Sequence, residues 1–189
     1  MATRALVLVP CLLVILTVPA EAGIGQGNGE IGFGFGFMDF DSNINAETGG
    51  RFAIRGGSHF TNLFQLEGQI LSANATDFVR PGYAVQNTSM GAFLVNGVFN
   101  FHASEVVVPY ALVGVGRVAV LDLTPFSSGD FDEDGPAFQA AGGVRLFFGQ
   151  KKRAAVRIEL SLLRDETFDE SSTHTSLTVG FTWRIGSAN

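Results

Sequence analysis

Cysteine occurs once in the 189 residues, at Cys11, so the chain cannot close an internal disulfide or build a cysteine-based zinc centre. Basic residues are scarce too. The 12 Lys and Arg against 18 Asp and Glu leave a net charge of -6, with no stripe of cations to neutralise nucleic-acid phosphates. Charged residues make up only 16% of the chain, and no apolar run beyond the N-terminus approaches the roughly 20 residues of a membrane helix. Against these shortages stand 46% hydrophobic residues, 24 Gly, 18 Phe and a mean hydropathy of +0.27. Such a composition excludes a disordered chain. Over a length that suits one domain, it demands either a large core or an apolar exterior.

The first 22 residues read as a Sec-type export signal. Arg4 supplies the positive start, Ala5–Val18 the apolar stretch, and Ala20-Glu21-Ala22 a small-x-small cleavage site before Gly23. Pro10 interrupts the apolar stretch, which is too short to span a bilayer. Residues 23–29, rich in Gly, then read as a flexible segment ahead of a single domain over 30–189.

From Glu30 onward the apolar residues recur with period two, the spacing of strands rather than helices. Ile31, Phe33, Phe35 and Phe37 alternate with glycines; Phe52, Ile54 and Phe60 alternate with Arg51, Arg55 and His59. Phe64, Leu66 and Ile70 interleave with Gln65, Glu67 and Gln69, and Phe93, Val95, Phe99 and Phe101 with Ala92, Asn96 and Asn100. Further on, Tyr110, Leu112, Val118 and Val120 are set against Ala111, Val113 and Arg117. Phe138, Val144, Leu146 and Phe148 are set against Gln139, Gly143 and Arg145, and Val156, Ile158, Leu160 and Leu162 against Arg157, Glu159 and Ser161. Leu177, Val179, Phe181, Trp183 and Ile185 close the series against Thr178, Gly180, Thr182 and Arg184. The pattern predicts eight strands of about ten residues, the length of a tilted membrane-crossing strand.

Short links near 61–63, 102–105 and 149–152 alternate with longer ones over 41–49, 72–87, 121–135 and 165–172. Short turns on one rim, long loops on the other and an even strand count describe an all-β, eight-stranded antiparallel up-and-down transmembrane barrel. Pro81 and Pro125 fall in predicted loops, and Pro109 and Pro136 at strand starts.

One parity of each strand is apolar or Gly. The other carries Arg51, Arg55, Glu67, Arg117, Arg145, Arg157, Glu159 and Arg184. A lipocalin-like carrier would turn the apolar parity inward around a ligand cavity, with an exterior rich in Lys and Glu. These strands hold no Lys, and arginine, always charged and with five donors, suits a polar lumen. The eight charged residues are therefore expected inside as one network, the apolar parity against lipid. Six arginines against two glutamates need further acceptors from loops, backbone or water. An interior of eight strands is just filled by side chains, so no open pore is expected.

The chain resembles the OmpA-like and opacity-type eight-stranded outer-membrane barrel family. The likeness is carried by Val108-Pro109-Tyr110-Ala111-Leu112-Val113-Gly114-Val115-Gly116, by Phe138-Gln139-Ala140-Ala141-Gly142-Gly143-Val144-Arg145, and by the closing Leu177-Thr178-Val179-Gly180-Phe181-Thr182-Trp183-Arg184-Ile185. The resemblance implies a monomer in the outer membrane of a Gram-negative cell, short turns and both termini in the periplasm, long loops at the cell surface. It implies lipid and lipopolysaccharide as surroundings, and recognition of the last strand by the barrel-assembly machinery. Two departures stand out: Gly186-Ser187-Ala188-Asn189 follow Ile185 where many members end on an aromatic residue, and Phe replaces the usual Trp and Tyr girdles.

Motifs that could carry chemistry are few. Some small outer-membrane barrels hydrolyse lipid A with a His-x-Ser pair and a carboxylate, and two such spacings occur here, His102-Ala103-Ser104 and His174-Thr175-Ser176. The second is better placed, at the outer end of the last strand, with Glu166 or Asp169 as candidate orienting carboxylates; a Ser/Thr-rich strand entrance is the plainer reading. Asp130-Phe131-Asp132-Glu133-Asp134-Gly135 begins like a calcium loop but has Ala141 at the twelfth position. Gly-rich pieces at 32–37 and 114–116 lack the third glycine and following helix of a nucleotide loop. His59 reads as a lumen hydrogen-bonding residue. No catalytic or metal residue and no cofactor is expected. The expected role is structural, adhesive or in membrane integrity, with a lipid A hydrolase and an apolar-ligand carrier as alternatives.

Overall fold

The computed structural model describes residues 29–41, 48–76, 79–80, 83–84, 87–101, 106–122, 131–149, 153–167 and 171–186. The export signal, the 23–28 segment and the His102–Ser104 motif lie outside these residues. The described residues form ten strands: β1 (Gly29–Asp39), β2 (Gly49–His59), β3 (Phe64–Thr76), β4 (Val79–Arg80), β5 (Tyr83–Ala84), β6 (Asn87–Asn100), β7 (Val107–Asp122), β8 (Phe131–Phe148), β9 (Ala154–Asp165) and β10 (Ser172–Ile185). Eight of them close an antiparallel barrel in the order β1-β10-β9-β8-β7-β6-β3-β2, while β4 and β5 form a small hairpin inside the β3–β6 connection.

Following paired residues round the wall from Asp39 through Thr175, Leu162, Ala140, Val113, Gly97, Leu66 and Ser58 returns to β1 at Gly29, ten residues from the start. A stagger of this kind accompanies the strand tilt of about 35–45° typical of closed barrels, and eight strands leave room inside for side chains only.

The strands run past the membrane band on the long-loop side. β7 has 16 residues and β8 has 18, against the ten or so that hydrocarbon requires. Above the band the outward residues turn polar, as at Asp39, Ser72, Asn74, Arg164, Thr173 and Thr175, yet the ladder continues. Much of what reads as long loop is therefore wall. Pro136 lies within β8 rather than at its start, where β9 ends beside it: its carbonyl accepts the Glu166 N–H at 3.1 Å, one residue past β9. The missing N–H therefore falls at the last rung between the two strands rather than inside their ladder. Pro109 repeats the device past the end of β6, where its carbonyl accepts Phe101 N at 2.8 Å.

Phe33, Phe35, Phe37, Ile54, Val113, Leu160, Val179 and Trp183 point outward and are exposed, while Arg51, Arg55, Arg145 and Arg157 are buried. Outward rings also touch one another, as Phe35 does Phe52 and Phe64 does Phe99. A carrier, which needs the apolar parity around a cavity, does not fit this arrangement. One strand reverses the expectation. On β7 the inward residues are Tyr110, Leu112 and Val118, and the outward ones are Val113, Val115 and Arg117. Arg117 is therefore not part of the interior. Its side chain is 67% exposed just above the apolar band, 2.7 Å from Asp134 on β8.

The interior has two tiers. Towards the long-loop end Met38, Leu71, Met90, Leu94, Val118 and Leu163 pack with alanines and the ring of Phe40 into an apolar plug. Below it, towards the termini and short turns, the interior is ionic.

Candidate functional site

The ionic tier is built by inward positions that the strand register brings level. Arg157 on β9 is its centre. Its guanidinium places Nη1 2.6 Å from Glu67 on β3, Nη2 2.6 Å from Glu159, and Nε 2.7 Å from the Tyr110 hydroxyl. Tyr110 in turn donates to Glu159 Oε2 at 2.8 Å. Arg55 on β2 closes the group with Nη2 2.6 Å from Glu159 Oε1 and Nε 3.8 Å from Glu67. Two arginines and two glutamates from three strands thus neutralise one another, satisfying the rule that buried charges be paired and hydrogen-bonded.

Room for this arrangement comes from glycine. Tyr110 faces Gly143 across the β7–β8 ladder, and a side chain at Gly143 would strike the phenol hydroxyl. The ring lies between two guanidinium groups, 4.8 Å from that of Arg145 and 4.5 Å from that of Arg157.

Nearer the termini, Glu30 at the start of β1 collects a second set. Arg145 Nε lies 3.5 Å from it, His59 Nε2 3.4 Å and Arg184 Nε 3.9 Å. Arg145 also donates to Asn100 and Gln65, each at 3.0 Å, and Arg184 covers the ring of Phe147. Glu30 was not anticipated, and it supplies a third carboxylate for the excess arginine. Of the eight charged residues expected inside, Arg55, Glu67, Arg145, Arg157 and Glu159 join these clusters, and Arg184 lies at the rim. Arg117 is outside. Arg51, buried higher up, contacts the hydroxyls of Ser161, at 2.6 Å, and Ser176.

At the opposite end, His174 and Ser176 share the inward face of β10 without forming a nucleophile–base pair. His174 Nε2 meets Asp165 Oδ2 at 2.8 Å, and Nδ1 accepts the backbone N–H of Asp41 at 3.2 Å. Both ring nitrogens are engaged, so none is free to take a proton from Ser176, whose hydroxyl belongs to Arg51 and Ser161. The orienting carboxylate is Asp165 rather than Glu166; Asp169 is outside the described residues. β9 runs to Asp165 and brings it level with Ser172, which places it inside the wall. The acidic stretch beginning at Phe131 is extended strand, not the tight turn a calcium loop needs. Among the described residues no cluster of three or more His, Cys, Asp or Glu gathers as metal ligands.

Among the described residues the inward side chains close the barrel. An ionic lock spans the half near the termini and an apolar plug the half near the loops. A family model described as outer membrane protein beta-barrel domain matches residues 8–184. Among solved structures, Neisserial surface protein A aligns with a TM-score of 0.67 at 10% identity, covering 85% of this chain and 100% of that one. OprG from Pseudomonas aeruginosa gives 0.64 at 10% identity, covering 86% and 98%. Ail, the attachment invasion locus protein of Yersinia pestis, gives 0.51 at 14% identity, covering 85% and 99%. At such identities the likeness concerns the fold. No curated protein matches the chain.

Proposed function

We propose, from the premise that this chain belongs to the outer membrane protein β-barrel family, that it is a closed, non-enzymatic surface barrel whose polar upper wall and loops carry its contacts. Family membership places it in the outer membrane. In this reading Met1–Ala22 directs export, the barrel-assembly machinery pairs β10 with β1, and lipid with lipopolysaccharide surrounds a single copy.

The observation that carries the reading is the double closure of the lumen. A solute would have to break the Arg157–Glu67–Glu159 group and also displace Leu94 and Leu163 from the plug. Breaking one buried ion pair costs on the order of 3–5 kcal/mol, which opposes a standing channel. What remains for function is the wall above the membrane, where Arg117, Asp134, Arg164 and Thr173 meet water. Attachment belongs to Ail by its name, and the same role suits a barrel whose polar upper wall faces the cell exterior.

The test pairs two readouts on one preparation. The purified barrel in planar bilayers should give no steady conductance, and cells carrying it should lose attachment or envelope resistance when residues 123–130 are replaced by a Gly-Ser linker. Stable ohmic conductance would overturn the closed-barrel reading. An unchanged phenotype in attachment and in detergent sensitivity would overturn the surface role.

A further inference from the structure

The upper end of the seam between first and last strand is not finished by backbone. β1 and β10 pair without a break from Gly29 opposite Ile185 up to Asp39 opposite Thr175. Beyond that rung, side chains stand in for the ladder. The Thr173 N–H donates to the Asp41 carboxylate at 2.8 Å, and the Asp41 N–H donates to Nδ1 of His174 at 3.2 Å. Asp165 on β9 holds the other ring nitrogen at 2.8 Å. Phe40 sets its ring edgewise to the imidazole and packs against the apolar plug. One buried imidazole thus ties β9, β10 and the end of β1 together.

We infer that His174 is an acid-sensitive latch: a proton on Nδ1 releases the Asp41 N–H and opens the top rung of the β1–β10 seam. A neutral imidazole has one N–H and one acceptor nitrogen. With the Asp165 carboxylate taking the Nε2–H, Nδ1 is the acceptor, and the Asp41 amide uses it. Imidazolium donates through both nitrogens. Two donors cannot share the bond, so the amide turns away. The surroundings admit the proton. The ring's two polar partners both carry carboxylates, Asp165 from β9 and Asp41 from the end of β1, and nearby negative charge favours an imidazolium. On β8 the inward residues level with Asp165 and Leu163 are the neutral Ala137 and Gln139. The inward cation of β2, Arg51, stays on Ser161 and Ser176, one inward step below His174. Asp39 and Arg164 lie on the outer face of the wall. Burial works against charge on Asp165, but hydrogen bonds from His174 and Thr167 hold its carboxyl below the ordinary value. It therefore stays ionised over the range in which an imidazole takes its proton.

Nuclear magnetic resonance of the full isotope-labelled barrel in micelles tests this, with His174→Asn as the second protein. Asparagine places Oδ1 where Nδ1 stands, an acceptor that takes no proton in this range. Heat-dependent gel mobility verifies that the variant is folded. At about pH 8 the wild-type ring should show a protonated Nε2 and a bare Nδ1. Between about pH 8 and about pH 5.5, a range that spans ordinary imidazole titration, the protection of the Asp41 amide against hydrogen exchange should fall roughly tenfold or more, the worth of one hydrogen bond. In His174→Asn that protection should not change with pH. Constant protection in the wild type would overturn the proposal. So would an equal fall in both proteins, which would assign the response to a carboxylate. A ring protonated at Nδ1 at about pH 8 would overturn it from the wild type alone.

Discussion

The Tyr110 hydroxyl donates to Glu159 at 2.8 Å while accepting from Arg157 Nε at 2.7 Å, so one phenol joins both halves of the central ion pair. Tyr110→Phe keeps the ring between its two guanidinium neighbours and removes only that junction. Arg157 Nε–H then keeps only its longer bond to Glu159 Oε2, at 3.2 Å, and that carboxylate loses a donor, which should cost about 1–3 kcal/mol. The urea midpoint of the refolded barrel in micelles reports it, and an unchanged midpoint would place the hydroxyl outside the network.

Glu67 receives Arg157 through both oxygens, at 2.6 and 3.3 Å. Glu67→Met and Arg157→Met should each destabilise by roughly 3–5 kcal/mol, because each strands a buried charge. The double variant should cost clearly less than the sum of the two, and a double-mutant cycle of unfolding free energies measures the difference. Strict additivity would mean the two side chains do not interact.

Arg117 lies on the water-exposed wall, so Arg117→Ala should change stability by no more than about 1 kcal/mol, with most of the effect gone at high salt. Unfolding at two ionic strengths checks this. A loss as large as that of Arg157→Met would return Arg117 to the interior.

Ser176 is held by Arg51 and Ser161, while both nitrogens of His174 are engaged elsewhere. Cells carrying wild type or Ser176→Ala should therefore yield lipid A of the same mass. A deacylated species present only with the wild-type barrel would contradict the non-enzymatic reading.

Strand count, closure and the sense of seven strands were legible because polar and apolar residues alternate cleanly there, as in Gln65–Ile70 or Val156–Leu162. β7 was not legible. From Val107 to Val120 both parities are apolar, and the two informative residues mislead: Tyr110 reads as greasy but is valued inside for its hydroxyl, and Arg117 reads as a lumen charge but lies above the lipid. Alternation also hid the plug, since Leu71, Leu94 and Leu163 each sit beside an outward apolar neighbour. Glu30 escaped notice at the edge of a Gly-rich leader, although Ile31 beside it opens the alternation that puts Glu30 on the inward parity. Asp165 was assigned to a loop because sequence shows where apolar residues stop, not where hydrogen bonding stops.

Site-directed spin labelling in liposomes tests the central claim most directly, with one nitroxide at a time at Phe35, Val113 or Ile158 and a reference at Thr173. With the outward face in hydrocarbon, the first three labels should relax strongly with oxygen and weakly with a water-soluble nickel reagent, and Thr173 the reverse. Nickel-accessible labels at Phe35, Val113 and Ile158 would put the phenylalanine-bearing face in water and contradict the account.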